Sequence, residues 1–286
     1  MEDFIKDKMS IIFSDFINNV EKEPLCDLKS FSFKDGKLPD YFNPKHQQLF
    51  LLRYFPAYLC EYKYLYEKIY NEAVLSDYNV LSIGCGCFLD YHGLTFASSK
   101  SSKLIKYTGI DIIEWSYNNI FIDSNIEFHQ KMIEDYQFPE TVDYNIIFFP
   151  KSISEISDEG FNIFLENLKK INFSSNRIYI ISSNRDSFFK YDEVRYNRII
   201  DVFRYIGYNC NKIKPTQELK KKEAFCYFDK HFYYPDNVKN YLNTLHEKCS
   251  EFIKNNNSCY DNCGKLSRSP ILTTNYISFL FNVMER

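Results

Sequence analysis

Between residues 79 and 183 the apolar positions fall into two alternating kinds of run. The short ones, "NVLSI" (79–83), "KYTGIDI" (106–112), "NIEFHQ" (125–130), "DYNIIFFP" (143–150) and "RIYIISS" (177–183), are rich in Ile, Val, Phe and Tyr and predict strands. "DYNIIFFP" is nearly all apolar at its centre, which predicts a strand covered on both faces. Between the strands lie stretches with helical spacing: 88–102, "EWSYNNIF" (114–121), "DEGFNIFLENLKKI" (158–171) and 189–206. "YNCNKI" (208–213) reads as a sixth strand and "TTNYISFLFNVMER" (273–286) as a last one. Strands alternating with helices predict an α/β fold with a doubly wound, mostly parallel sheet. Upstream, residues 45–76 carry apolar and aromatic side chains at helical spacing, and Pro56 is expected to kink or divide them. The expected organisation is therefore an N-terminal helical cap (1–75) packed on the carboxyl edge of the sheet. The sheet domain (76–286) follows, with a core at 76–210 and an extension at 211–286 that ends in a strand.

Composition narrows the class. The 286 residues carry 35 Lys and Arg against 38 Asp and Glu, a formal charge of −3, which excludes a uniformly basic nucleic-acid binder. The first ten residues, "MEDFIKDKMS", lack the apolar core of a signal peptide, and no apolar run is long enough to span a bilayer. Nine cysteines without a secretory signal point to reduced thiols and a cytoplasmic location, with no membrane partner.

Glycine is scarce, 8 residues in all, yet Gly84, Gly86 and Gly93 fall within the single stretch "NVLSIGCGCFLDYHGL" (79–94). A strand, a Gly-x-Gly turn spanning Gly84, Cys85 and Gly86, and then a helix build a pocket for a nucleotide-like ligand. A dinucleotide site needs a third glycine, where this chain has Leu89, so NAD is disfavoured. Asp111, followed by Ile112, ends the second strand 27 residues after Gly84. Its carboxylate suits the two hydroxyls of a ribose; the other reading makes it the N-cap of the helix expected after it.

"VLSIGCGCFLD", "YTGID", "IEFHQKMIEDY" and "VDYNIIFFPKSISEIS" stand in the order and spacing of the class I, Rossmann-like S-adenosylmethionine-dependent methyltransferases, which the chain resembles over about residues 76–210. The resemblance implies S-adenosyl-L-methionine as cofactor, S-adenosyl-L-homocysteine as product and a methyl acceptor that is a small molecule, RNA or protein. It implies cofactor contacts from Gly84, Cys85, Gly86 and Asp111. The family usually has an acid where Ser82 stands, and Asp90 is offered in its place. Met132 and Ile133 match the residues against the adenine, although Met132 also reads as a strand-end core residue. Pro150, Lys151 and Ser152 match the cofactor's reactive end. The Asn/Asp-Pro-Pro-aromatic signature of amino-nucleobase methylation is missing from "FFPKSISEI". A methyltransferase-like scaffold without activity is the competing reading.

The remaining candidates are single features. Glu155 is the candidate general base. Arg53, in the apolar "LFLLRYFPAYL", reads either as an anion partner for the cofactor's carboxylate or as a side chain reaching a helix edge. Residues 177–223 hold eleven Lys or Arg against six Asp or Glu, a surface for RNA or simply a solvated helix face. His246, Cys249, Cys259 and Cys263, with Cys226 and His231 nearby, have four-ligand zinc chemistry but no tight C-x2-C pair, and free thiols without metal are expected.

Overall fold

The computed structural model describes residues 1–20, 25, 28, 39–72, 75–99, 103–185, 188–211, 235–255 and 278–286. They fall into two compact units, Met1–Cys60 with Lys222–Thr274, and Glu61–Lys221 with Asn275–Arg286.

The first unit is helical. In α1 (Glu2–Val20) the buried residues Ile5, Met9, Ile12, Phe16 and Val20 recur every three or four positions, one stripe of an amphipathic helix. α2 (Pro44–Glu72) starts in this unit and ends in the second. Helix α2 runs through Pro56 without being divided there. Proline removes one helical hydrogen bond, but every residue from Leu51 to Cys60 is buried, and that packing outweighs the loss. Phe4 meets Phe55 edge-on at 6.2 Å, and Phe13 meets Tyr241 at 5.3 Å. Tyr241 belongs to a short late helix, Asp236–Asn243.

The second unit is a seven-stranded sheet with helices on both faces. Its strands are β1 (Tyr78–Ile83), β2 (Ile105–Asp111), β3 (Ile126–Gln130), β5 (Ile146–Pro150), β7 (Arg177–Asn184), β8 (Asn209–Asn211) and β9 (Ser278–Glu285). A separate two-residue pair, β4 (Thr141–Val142) and β6 (Asn172–Phe173), lies outside it. The order is β3-β2-β1-β5-β7-β9-β8. The first five are parallel; β9 is antiparallel to both β7 and β8. This is a doubly wound, Rossmann-like α/β sheet.

The β5 residues Ile146–Phe149 are fully buried, as the continuous apolar run predicts. Ile147 and Phe149 pack into the core beneath α5 (Asp158–Leu168) and α6 (Phe189–Tyr205). Phe148 points the other way, against Tyr62 and Tyr66 of α2, each with ring centroids 5.4 Å away. The helix expected over 88–102 is shorter, α3 (Leu89–Ala97), and its Gly93 lies so close to α2 that an added Cβ would sit 2.8 Å from the Lys63 backbone nitrogen. Gly93 thus serves helix packing and not a ligand. The expected helix at 114–121 shrinks to α4 (Asn118–Phe121), because Ile113, Trp115 and Tyr117 are buried from a loop and not from a helical face. The strand expected at 273–286 is described from Ser278, and the one expected at 208–213 is described over Asn209–Asn211.

Candidate functional site

The carboxyl ends of the parallel strands converge on one cleft, where ligands of open α/β sheets bind. Its volume is about 220 Å³, and its walls come from Ile83 and Gly84 after β1, Ile110–Ile112 at the end of β2, 131–134 after β3, and Ser152 with 155–157 after β5.

The glycine turn shapes the first wall. Gly84 has φ +74°, a left-handed conformation that favours glycine, and an added Cβ would collide with Ser152 Cβ. Ser152 Oγ in turn donates to the Ile83 carbonyl, locking the β1 turn to the β5 turn. Gly86 has φ +54°, and the nearest side-chain atoms to a Cβ there are those of the Trp115 indole, at 3.7–3.8 Å. Asp111 ties the turn to the second wall: Oδ2 accepts from the Gly86 N–H at 2.8 Å, and Oδ1 from the Ile113 N–H at 2.9 Å. The second bond is an Asx turn. The N-cap reading of Asp111 is not what the structure shows, since the helix after it begins only at Asn118. Burial pushes the Asp111 carboxyl up to about 6, against the lowering effect of its two N–H partners, and the negative charge of Glu155 adds to the rise.

The third wall is apolar. Ile133 is buried, while Ile112 and Met132 are 47% and 52% exposed at the rim. Met132 is therefore not a core residue. Glu134 lies over the first turn of α5, so close to Gly160 that an added Cβ there would strike the carboxylate.

The fourth wall is held from α6. Arg195 donates to the carbonyls of Ile153 (2.8 Å) and Ile156 (2.5 Å) and to Asp158 Oδ1 (2.5 Å), with its guanidinium against the Tyr191 and Phe161 rings. Glu155 reaches the cleft but accepts from Arg185 at 2.5 Å. One of its oxygens is therefore already engaged by a cation within the protein.

Of the residues expected at a site, the cleft brings together Gly84, Asp111, Ile112, Met132, Ile133, Ser152 and Glu155. Others stand behind it. Ser82 and Asp90 are fully buried, and Tyr107 Oη donates to both Asp90 oxygens at 2.8 Å. Cys85 is buried, with its thiol against Gly109 and its pKa raised by burial. Pro150 ends β5, and Lys151 is 7% exposed. Arg53 belongs to the first unit, where it is 1% exposed. Cys226, His231, Cys259, Cys263 and the lysine-rich 212–223 lie outside the described residues. Among the described residues no three His, Cys, Asp or Glu side chains are grouped to hold a metal, and no helix is long and apolar enough to cross a membrane.

Sequence reasoning missed Trp115, Arg195 and the pair Glu61–Lys151. Trp115 alone had a signal, as the single tryptophan of the chain, four residues after Asp111.

Asp90 carries a testable consequence. Burial raises its carboxyl to about 6, so the folded state holds its proton more tightly than the unfolded chain. Stability from this group is present below about pH 4 and is lost as pH rises through about 6. Asp90→Asn is expected to flatten the dependence of Tm on pH between 4 and 7. A slope identical to the parent's would show that Asp90 does not titrate there.

No sequence-family model matches the chain, and no curated protein matches it by sequence. Solved structures do. Haemonchus contortus phosphoethanolamine N-methyltransferase 2, in complex with phosphomonomethylethanolamine and S-adenosylhomocysteine, is 12% identical with a TM-score of 0.42. The match covers 78% of this chain and 52% of that one, so the chain spans about half its length. The plantazolicin methyltransferase BpumL, in complex with a monoazolic desmethylPZN analog and SAH, is 14% identical, covering 96% of this chain and 99% of that one, with a TM-score of 0.42. Burkholderia thailandensis 1,6-didemethyltoxoflavin-N1-methyltransferase is 8% identical, covering 79% and 78%, with a TM-score of 0.40.

Proposed function

We propose that the chain is an S-adenosyl-L-methionine-dependent methyltransferase. The observation that carries this reading is Asp111, held at the end of β2 by the glycine-turn N–H while still lining the cleft. Each carboxylate oxygen has spent one lone pair on a backbone N–H and keeps another for a ligand hydroxyl. A ribose with two adjacent hydroxyls fits that acceptor. Beside it, Ile112, Met132 and Ile133 offer an apolar slot for a flat base. The Gly84 turn lets the ligand chain pass close to the backbone. These residues fit S-adenosylmethionine, which supplies an activated methyl group when bound. The first turn of α3 lacks the glycine a pyrophosphate requires.

Transfer to a nucleophilic atom needs alignment and exclusion of water, not a dedicated base. The Glu155–Arg185 pair supports a role for Glu155 in shaping the cleft. The same pairing keeps a non-catalytic binding role in play, and turnover separates the two. Arg177, Arg185, Arg195, Arg198 and Arg204 each engage a partner within the protein, so an RNA contact would rest on the lysine-rich 212–223. A cytoplasmic setting accords with Cys60, Cys85, Cys87, Cys210 and Cys249, which form no disulfide among the described residues. Calorimetry is expected to show binding of S-adenosylmethionine and S-adenosylhomocysteine and none of NAD; NAD binding without S-adenosylmethionine binding would overturn the reading.

A further inference from the structure

At the carboxyl ends of β5 and β7 lies a buried polar cluster that the cofactor reading leaves unused. Lys151 Nζ donates to Glu61 Oε1 at 2.7 Å and to the Asn184 carbonyl at 3.3 Å, and Ser183 Oγ donates to the same Glu61 oxygen. Glu61 is 1% exposed, and its other oxygen, Oε2, has no hydrogen-bond partner among the described residues. Asp192 of α6 repeats the pattern. It is 1% exposed, it feels the charges of Lys151, Arg185 and Glu155, and its Oδ1 has no partner. Burial pushes the Asp192 carboxyl up to about 6.

Lys151 itself sits at φ +62°, a left-handed conformation on a non-glycine residue. Such strain persists where the surroundings over-determine it, and it clusters at functional sites. Here the Lys151 N–H bonds both the Phe149 and Ser183 carbonyls while the ammonium is fixed by Glu61. The next residue, Ser152, is a wall of the cleft.

A purely structural ion pair is expected to satisfy all of its buried oxygens, because an unpaired buried acceptor forfeits its hydration without return. Here two buried carboxylates each keep an oxygen with no hydrogen-bond partner among the described residues. Their net demand is for N–H groups and positive charge.

We propose that Glu61 is the acceptor-side carboxylate of this site, and that the methyl acceptor is a small amine whose N–H is held by Glu61 Oε2, with Asp192 adding negative potential. The proposal rests on the S-adenosylmethionine reading. The amine enters as the neutral base. Its lone pair forms the bond to the methyl carbon, the carbon–sulfur bond breaks with its electrons kept by sulfur, and the positive charge passes from sulfur to the new ammonium. Carboxylate oxygens beside that nitrogen favour the charge as it develops. Lys151 and Ser183 act as positioning residues, since they fix Glu61 Oε1 and so aim Oε2.

The test supplies S-adenosylmethionine labelled in its methyl group together with a small-molecule extract of the host, separated by charge at neutral pH. Label is expected in the fraction retained by a cation exchanger. Glu61→Gln should lower it at least tenfold, with S-adenosylmethionine affinity by calorimetry unchanged within twofold and partial recovery in Glu61→Asp. The labelled amine's parent, titrated against protein saturated with S-adenosylhomocysteine, should bind at least tenfold more weakly to Glu61→Gln, a readout independent of turnover. Should Glu61→Gln fail to fold, Asp192→Asn takes its place, with a smaller loss expected. Label in the anionic or neutral fractions, or full amine affinity in the variants, overturns the proposal while leaving the cofactor reading standing. Failure of the parent protein to bind S-adenosylmethionine overturns both.

Discussion

Gly84→Ala is expected to cost the protein several-fold more than any other single methyl addition in the cleft. Two independent penalties meet there. The left-handed backbone costs a non-glycine residue about 1–3 kcal/mol, and the added Cβ meets Ser152 Cβ, which cannot retreat because Ser152 Oγ is bonded to the Ile83 carbonyl. Either β1 or β5 must shift its terminal turn, and both turns are walls of the cleft. The variant should melt at markedly lower temperature and bind S-adenosylmethionine at least tenfold more weakly. A double variant, Gly84→Ala with Ser152→Gly, removes the collision but not the strain and should recover part of the Tm. Thermal melts and calorimetry on the three proteins separate the two penalties; equal melting temperatures for parent and Gly84→Ala would refute the geometry.

Asp111→Asn should separate the two tasks of that carboxylate. The amide can keep one oxygen for a backbone N–H but must turn an NH2 toward the other, so either Gly86 or Ile113 loses its acceptor. Leaving such a group unpaired costs about 1–3 kcal/mol, and cofactor affinity should fall by about one to two orders of magnitude. The same residue predicts a pH dependence. Asp111 in the free protein titrates near 6, raised by burial. On the proposed reading the ribose hydroxyls donate to the ionised form, so binding would compete with protonation. S-adenosylmethionine affinity should be flat above about pH 7 and fall toward tenfold per unit below about 5.5. For Asp111→Asn the profile should lose that limb. An affinity independent of pH from 5 to 8 in the parent would assign Asp111 to bracing alone.

Much of this was legible in the chain because it is local. Strands β1, β2, β3, β5 and β7 announce themselves by short β-branched and aromatic runs, and β5 by burial on both faces. That Gly84 and Asp111 would share one cleft was legible because a strand end, a left-handed turn and a second strand end have fixed spacing in a parallel sheet. What escaped depends on partners far apart in sequence. Glu61 and Lys151 are 90 residues apart, and neither position has a local signal for an ion pair. Arg195 reads as one more surface arginine of a helix until Ile153 and Ile156 are seen beneath it. Pro56 does not divide α2, because local propensity is outweighed by the burial of its neighbours from Leu51 to Cys60. Trp115 stayed hidden because its loop keeps helical composition without helical backbone, α4 starting only at Asn118.

The position of β9 governs the order in which the molecule can be completed. β9 fills the gap between β7 and β8, yet 67 residues separate Asn211 from Ser278. During synthesis β1, β2, β3 and β5 can pair as they emerge, whereas β7 offers an open row of backbone donors and acceptors along one side until its far partner arrives. From Asn184 to Ser278 is 94 residues, so at about 5–20 residues per second that wait lasts roughly 5–19 s. Unpaired edges of this kind recruit other chains. The nascent sheet should therefore be most prone to aggregate in this window, and pulse-labelled chains stalled before Ser278 should associate with holdase chaperones while chains extended past Glu285 do not.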